Sequence, residues 1–246
     1  SRAYEIDVTP STWCAMALSS SAGMLDRIAD DVFAFTDDLR LPGGMLLPSR
    51  TTLVRRGGRV LVHSPLAIDD ARAAEIEALG EVDAIVAPSK IHFLFLEKAI
   101  ARWPRARVWG ARGLETKAKG VAFEPLPPSG AMEGLCVRKI EGFPYIEEHV
   151  FLHEPSRTLV VTDLVFNVHE ARGIGMPLYL RMVGAWKKTA QSVLWRMLSR
   201  DKPAAKRTVA DVLAWEIDRV VMAHGDPFEG EAKATLCAAL AWLTAG

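Results

Sequence analysis

Several kinds of bias are missing from this chain, and each absence closes off a class of function. There is no charge excess: Lys and Arg total 30 and Asp and Glu total 30. Nothing in that balance favours nucleic acid, whose binding is driven by cationic neutralisation of phosphate. Cysteine is scarce, with Cys14, Cys136 and Cys237 far apart and no CxxC spacing. That argues against a disulfide framework or a thiolate metal site and fits small core residues in a reducing, cytoplasmic compartment. No apolar run is long enough to cross a bilayer, so no transmembrane segment is expected. Ser89 does not sit in a G-x-S-x-G elbow. The pairs Gly43-Gly44 and Gly57-Gly58 lack the strand-to-helix setting of a phosphate-cradling loop.

What the chain does have is apolar residues, 50% of the total over 246 positions. That is enough for one large domain or two tightly packed halves. Residues 1–23 read as an N-terminal extension rather than a secretion signal, because Glu5 and Asp7 stand where a signal is basic and the apolar patch after Cys14 is short. Residues 24–246 read as a single domain. TTLVRR and RVLVH flank Gly57-Gly58, a pair suited to the positive φ angles of a tight hairpin. IDDARAAEIEALG is an amphipathic helix with acidic residues at its start and Gly80 at its stop. VDAIVAP is a continuous apolar run, expected as a central strand covered on both faces. FLFLEKAIARW then makes a helix ended by Pro104, and ARVWG a strand parallel to the previous one.

PLPPSG marks the meeting of two pseudo-repeated halves near 125–130. Beyond it, GLCVRKIEG, HVFLHEP and RTLVVTD are strands. A helical insertion spans about 176–216, in which Tyr179, Val183, Trp186, Ala190, Val193 and Met197 recur at helical spacing. KRTVADVLAWEI, RVVMAHG and EAKATLCAALAWL close the chain as helix, strand and helix. Alternating strands and helices in two halves predict a four-layer α/β/β/α sandwich, with a single doubly wound sheet as the alternative.

Three strand ends deliver chemistry: APSKIH carries His92, LVVTD stops at Asp163, and RVVMAHG carries His224. With VLVHSP, IVAPSKIHFLFL, VVTDLVFN and VVMAHGDP as landmarks, the chain resembles the metallo-β-lactamase fold. More narrowly, it resembles an uncharacterised domain-of-unknown-function family related to it. The resemblance implies an α/β sandwich of that type and a site at these strand ends. Metal-binding members carry HxHxDH in the first loop. Here Lys90 replaces its first histidine, His92 matches the second, and Leu94 and Phe95 replace the aspartate and last histidine. Tyr145 stands near a further histidine position, with Glu148 just beyond it, while Asp163 and His224 match.

Three surviving ligands exclude an intact two-metal centre but suffice in number for one ion. Lys90 argues against even that. An ammonium about 5 Å from a divalent ion, at an effective dielectric near 20, is repelled by about 7 kcal/mol. No cofactor is therefore expected, with a single zinc, iron or manganese on His92, Asp163 and His224 as the alternative. Without metal, Lys90 is expected either to neutralise Asp163, leaving His92 and His224 to move protons, or to lie in solvent.

His63 sits at a strand end and either lines the pocket or caps a turn. Ser89 is a candidate by location alone. His149 and His153 share a strand face and are expected to be exposed. The 177–200 segment is expected to lay its apolar stripe over the pocket with its charges in water, rather than to form a basic surface for lipid or a partner. The functional expectation is a hydrolase-like pocket that has lost most zinc ligands. The alternatives are a one-metal hydrolase of a small ester, thioester or phosphoester, and a non-catalytic module for a small-molecule ligand.

Overall fold

Gly57 and Gly58 both adopt left-handed φ angles, 56° and 84°, and turn β3 (Leu46–Arg56) back into β4 (Arg59–His63) as an antiparallel hairpin. β1 (Asp26–Ala29) and β2 (Val32–Arg40) precede it. β5 (Glu81–Ala87), β6 (Arg107–Gly110) and β7 (Glu124–Pro125) follow. These strands form a seven-stranded sheet in sequence order, parallel from β4 onward. The chain then passes into a second, six-stranded sheet. It contains β8 (Ser129–Met132), β9 (Leu135–Lys139), β10 (His149–His153), β11 (Thr158–Val160), β12 (Arg219–Val221) and β13 (Phe228–Glu229), in the order β13-β12-β11-β10-β9-β8. This computed structural model describes residues 25–173 and 175–244. The extension expected over 1–23 and Cys14 lie outside the described residues.

Three apolar clusters fill the spaces between four layers. Val54, Leu61, Ala84, Val86, Phe151 and Val160 pack between the two sheets. Val60, Val62, Val82 and Ile85 point the other way, onto α1 (Asp70–Leu79) and α2 (Leu96–Arg102). The alternation within β4 and β5 is what a strand buried on both faces requires. α1 is capped as expected: the Asp69 side chain accepts from the Arg72 N–H at 2.8 Å, and Gly80 closes the helix. The third cluster joins the second sheet to α3 (Gly175–Met182), α4 (Val193–Met197), α5 (Lys202–Leu213), α6 (Ala232–Ala239) and α7 (Ala241–Thr244). The arrangement is the α/β/β/α sandwich, not the single doubly wound sheet.

Two expectations are corrected. The helical periodicity from Tyr179 to Met197 does not produce one helix, because the segment breaks between α3 and α4. Gly184 and Lys187 take φ angles of 71° and 54° there, outside the helical region. Phe166 and Val168 bridge to Ala190 and Trp186 instead. His149 and His153 do share a strand, but both are buried. β10 lies between β9 and β11, and its faces are covered by the first sheet, through Phe151, and by the helical layer, through Val150 and Leu152.

Candidate metal centre

Each side chain of the centre is set by the backbone just before or after it. Ser89, fully buried, accepts the His92 N–H on its Oγ at 3.2 Å and that of Ile91 at 3.4 Å. Its hydroxyl therefore shapes the loop that presents His92. Asp163 follows β11, and the buried carboxylate of Glu148 accepts the Thr162 N–H at 2.7 Å and the Asp163 N–H at 3.2 Å. His224 follows β12 in a loop stitched on both sides. The Arg50 guanidinium donates to the Met222 carbonyl at 2.9 Å and also to the Gly225 carbonyl. The Asn167 N–H donates to the His224 carbonyl at 3.2 Å. At Gly225, with φ of 100°, a Cβ would fall 2.2 Å from the Asn167 carbonyl oxygen. Only glycine permits that approach.

The three side chains converge. One ligand atom from each of His92, Asp163 and His224 lies within 4.8 Å of the others. His92 Nε2 is 2.9 Å from Asp163 Oδ2, and His224 Nε2 is 3.4 Å from Asp163 Oδ1. The far nitrogens are anchored. His224 Nδ1 is 2.9 Å from the Pro48 carbonyl, and His92 Nδ1 is 2.7 Å from Ser64 Oγ. A carbonyl only accepts, so His224 carries a proton on Nδ1, and Nε2 faces Asp163, donating to it when protonated and offering a lone pair when not. Ser64 holds a left-handed φ of 53°, a strained conformation for a residue with a Cβ.

The electrostatics follow from burial. Side-chain exposure is 12% for His92 and 6% for Asp163 and His224. Desolvation pushes the Asp163 carboxyl upward, but the charges and hydrogen bonds of His92 and His224 outweigh it and hold the group below the ordinary carboxylate range. Glu148 goes the other way, raised to about 7 by burial first and by the Asp163 charge second. Burial and the Asp163 charge raise the Tyr179 phenol, so its hydroxyl stays protonated. The Phe166 ring stacks on His224 with centroids 5.2 Å apart.

The remaining sequence candidates separate. Lys90 Nζ donates to the Pro144 carbonyl at 2.8 Å, and its N–H to the Ile146 carbonyl at 2.8 Å. Its side chain lies over Gly113, where a Cβ would stand 2.3 Å from Lys90 Cε. The expectation that its ammonium neutralises Asp163 is thus corrected: the hydrogen bonds to that carboxylate come from the two histidines. His63 faces the space between the sheets, edge-on to Phe151 at 5.2 Å, with Nε2 buried and without a hydrogen-bond partner among the described residues. Burial, with the His92 charge, takes it down to about 3. Tyr145 is 49% exposed and lies under the Arg200 guanidinium. Cys136 and Cys237 are free and half-buried. Ser64, Arg50 and Tyr179 were not singled out from sequence. The nearest signal was the S of VLVHSP, beside the histidine that drew attention instead.

The donor set fits one divalent ion. Two imidazole nitrogens and a carboxylate suit zinc, iron or manganese. Each histidine also has an outer partner that orients it, as metal-bound imidazoles do. Among the described residues, the group of histidine, cysteine and acidic side chains close enough to hold an ion is His92, Asp163 and His224.

The four-layer sandwich with a His/Asp/His centre at its strand ends defines a protein of the metallo-β-lactamase fold. The solved structures it resembles include TMB-1, at 13% identity and a TM-score of 0.61, covering 89% of this chain and 96% of that one. A metallo-β-lactamase from Pontibacter korlensis is 14% identical with a TM-score of 0.61, covering 92% and 99%. The metallo-β-lactamase FIM-1 from Pseudomonas aeruginosa, in its mono-zinc form, is 14% identical with a TM-score of 0.60, covering 89% and 95%. At these identities the likeness is one of fold. No family model and no curated protein matches the chain.

Proposed function

We propose that this chain is a hydrolase-like protein of the metallo-β-lactamase fold with one metal position, held by His92, Asp163 and His224, and that it is not a dinuclear metallohydrolase. Within the fold we place it beside the uncharacterised domain-of-unknown-function family whose landmarks it shares. The observation that carries the reading is the facing of His224 Nε2 and Asp163 Oδ1 at 3.4 Å, with Nδ1 committed to Pro48. With Nε2 unprotonated, its lone pair and the carboxylate oxygen converge as the donors of a cation do. Lys90, the residue that argued against a metal, is turned onto Pro144. The mono-zinc form of FIM-1 shows that this fold accommodates a single ion.

When bound, such an ion supplies Lewis acidity and a water more acidic than bulk. The chain's own residues do the rest. Ser64 and Pro48 fix the ring orientations, and Glu148 fixes the Asp163 backbone. The narrow exposure on the His92 side fits a small ester, thioester or phosphoester.

A second reading rests on the 2.9 Å contact between His92 Nε2 and Asp163 Oδ2. There the histidine donates its own proton to the carboxylate, and the centre is a metal-free polar pocket, with acid and base groups or as a binding module. Elemental analysis of protein purified without chelator decides between them. One zinc, iron or manganese per chain, lost in Asp163→Asn, supports the first reading. A metal-free chain inactive on a panel of ester, thioester and phosphoester substrates supports the second.

A further inference from the structure

The 175–200 segment carries Arg181, Lys187, Lys188, Arg196 and Arg200 and no acidic residue, in a chain whose formal charge is zero. Elsewhere several arginines are matched: Arg107 with Glu124 and Glu133, Arg138 with Asp211, Arg56 with Asp83 and Glu133. None of the five cations of this segment is paired with a carboxylate among the described residues. Arg181 and Lys187 instead lie over the Trp186 ring, at 5.3 and 5.7 Å.

The same segment exposes Leu178, Met182, Val193, Leu194 and Met197, with Met182 and Met197 at 72% and 71%. Leu178 and Met182 are four residues apart on α3, as are Val193 and Met197 on α4, so each pair lies on one helix face. The Val193 N–H donates to the Val183 carbonyl at 2.8 Å, which brings the start of α4 against the residue that follows α3. The other large apolar side chains exposed among the described residues are Ile91, Leu94 and Tyr145. They lie on the loops tied to each other through Lys90 and Ile146, and Tyr145 meets Arg200. Among the described residues the large exposed apolar side chains thus fall on α3, on α4 and on the two loops that reach Arg200 through Tyr145. Meanwhile α3 buries Met176 and Leu180 on its inner side. The segment was expected to lay its apolar stripe over the pocket; its inner residues pack in the core cluster of the second sheet, and it leaves a second apolar face outward.

We propose that this face docks on an anionic lipid bilayer. Unpaired cations interleaved with large, flexible apolar side chains match a surface that is negative at the headgroups and apolar just beneath. Nucleic acid would use the cations but not the methionines and leucines, and the wet surface of an acidic protein would leave most of that apolar area uncovered. The inference does not depend on a metal at the centre.

The test is co-sedimentation of the full chain, with and without chelator, on vesicles of phosphatidylcholine alone and of phosphatidylcholine mixed with phosphatidylglycerol. Binding should require phosphatidylglycerol, weaken at high salt, and persist in chelator. At about fivefold per cation lost, Lys187→Glu with Lys188→Glu should lower affinity by at least about twentyfold. Met182→Ser with Met197→Ser should lower it several-fold, both double variants keeping the parent circular dichroism and urea midpoint. Three results would overturn the proposal. One is no binding to the mixed vesicles, and another is binding undiminished by the charge reversals. The third is a concentration-dependent dimer that the same substitutions dissociate, which would make a second copy the occupant. Loss of the metal reading leaves these expectations unchanged.

Discussion

His224 and Asp163 face each other across 3.4 Å with the histidine proton held on the opposite nitrogen by the Pro48 carbonyl. That one relationship orders the centre, because it leaves Nε2 and a carboxylate oxygen aimed at the same point. The surrounding contacts keep both from relaxing away.

Arg50 is the first of them. Its buried guanidinium bridges the carbonyls of Met222 and Gly225, on either side of His224. Arg50→Met leaves two carbonyls without a donor and should cost about 2–4 kcal/mol in urea unfolding. Zinc affinity, read by competition with a chromophoric chelator, should fall as well. Lysine cannot reproduce the planar fork, so Arg50→Lys should recover only part of either loss.

Ser64 and Glu148 act one layer behind the ligands. Ser64→Ala removes the partner of His92 Nδ1, and Glu148→Gln removes one of the two acceptors from beneath Asp163. Each should weaken zinc binding by about 10- to 100-fold, the range found when such outer partners are lost. Calorimetric titration of the purified variants gives the affinities.

Lys90 should matter little to the metal. Since its ammonium is bonded to Pro144 and packed over Gly113, Lys90→Met should change zinc affinity by less than about threefold. An ammonium about 5 Å from the ion would instead predict a gain of several orders of magnitude on its removal.

Acid should destabilise the fold through His63 and His149. Burial lowers the first to about 3 and the second to about 4. Both values lie below the unfolded value near 6.5, so the unfolded chain takes up protons first. The stability these two confer is complete above about pH 6.5 and is lost as pH falls toward 4, by at most about 1.4 kcal/mol per pH unit for each. His63→Leu also removes an unpartnered buried nitrogen. Urea midpoints measured from pH 7 to pH 5 should fall less steeply in His63→Leu and in His149→Gln than in the parent.

The parts of the fold legible in sequence are those fixed by local chemistry. Gly57-Gly58 sets a hairpin by φ alone, Asp69 and Gly80 bound α1, and the run from Ala84 to Ala87 has no polar face to expose. His92, Asp163 and His224 were legible because each ends a strand. The missing parts depend on contacts across the chain. Lys90 turns away because Gly113 has no side chain to block it, a fact held more than twenty positions downstream. Ser64 reaches His92, and Arg50 the His224 loop, only after the sheets are assembled. The periodicity of 179–197 is compatible with one helix, and Gly184 and Lys187 break it because residues 186 and 190 are taken by bridges to 168 and 166. His149 and His153 looked exposed because a strand's position in its sheet is not written in the strand.

The account stands most directly on X-ray absorption of the chain titrated with zinc. It predicts saturation at one ion per chain, a first shell with two imidazoles and a carboxylate oxygen, and loss of that imidazole signature in His224→Ala. Two ions per chain with metal–metal scattering, or a first shell unchanged in His224→Ala, would contradict it.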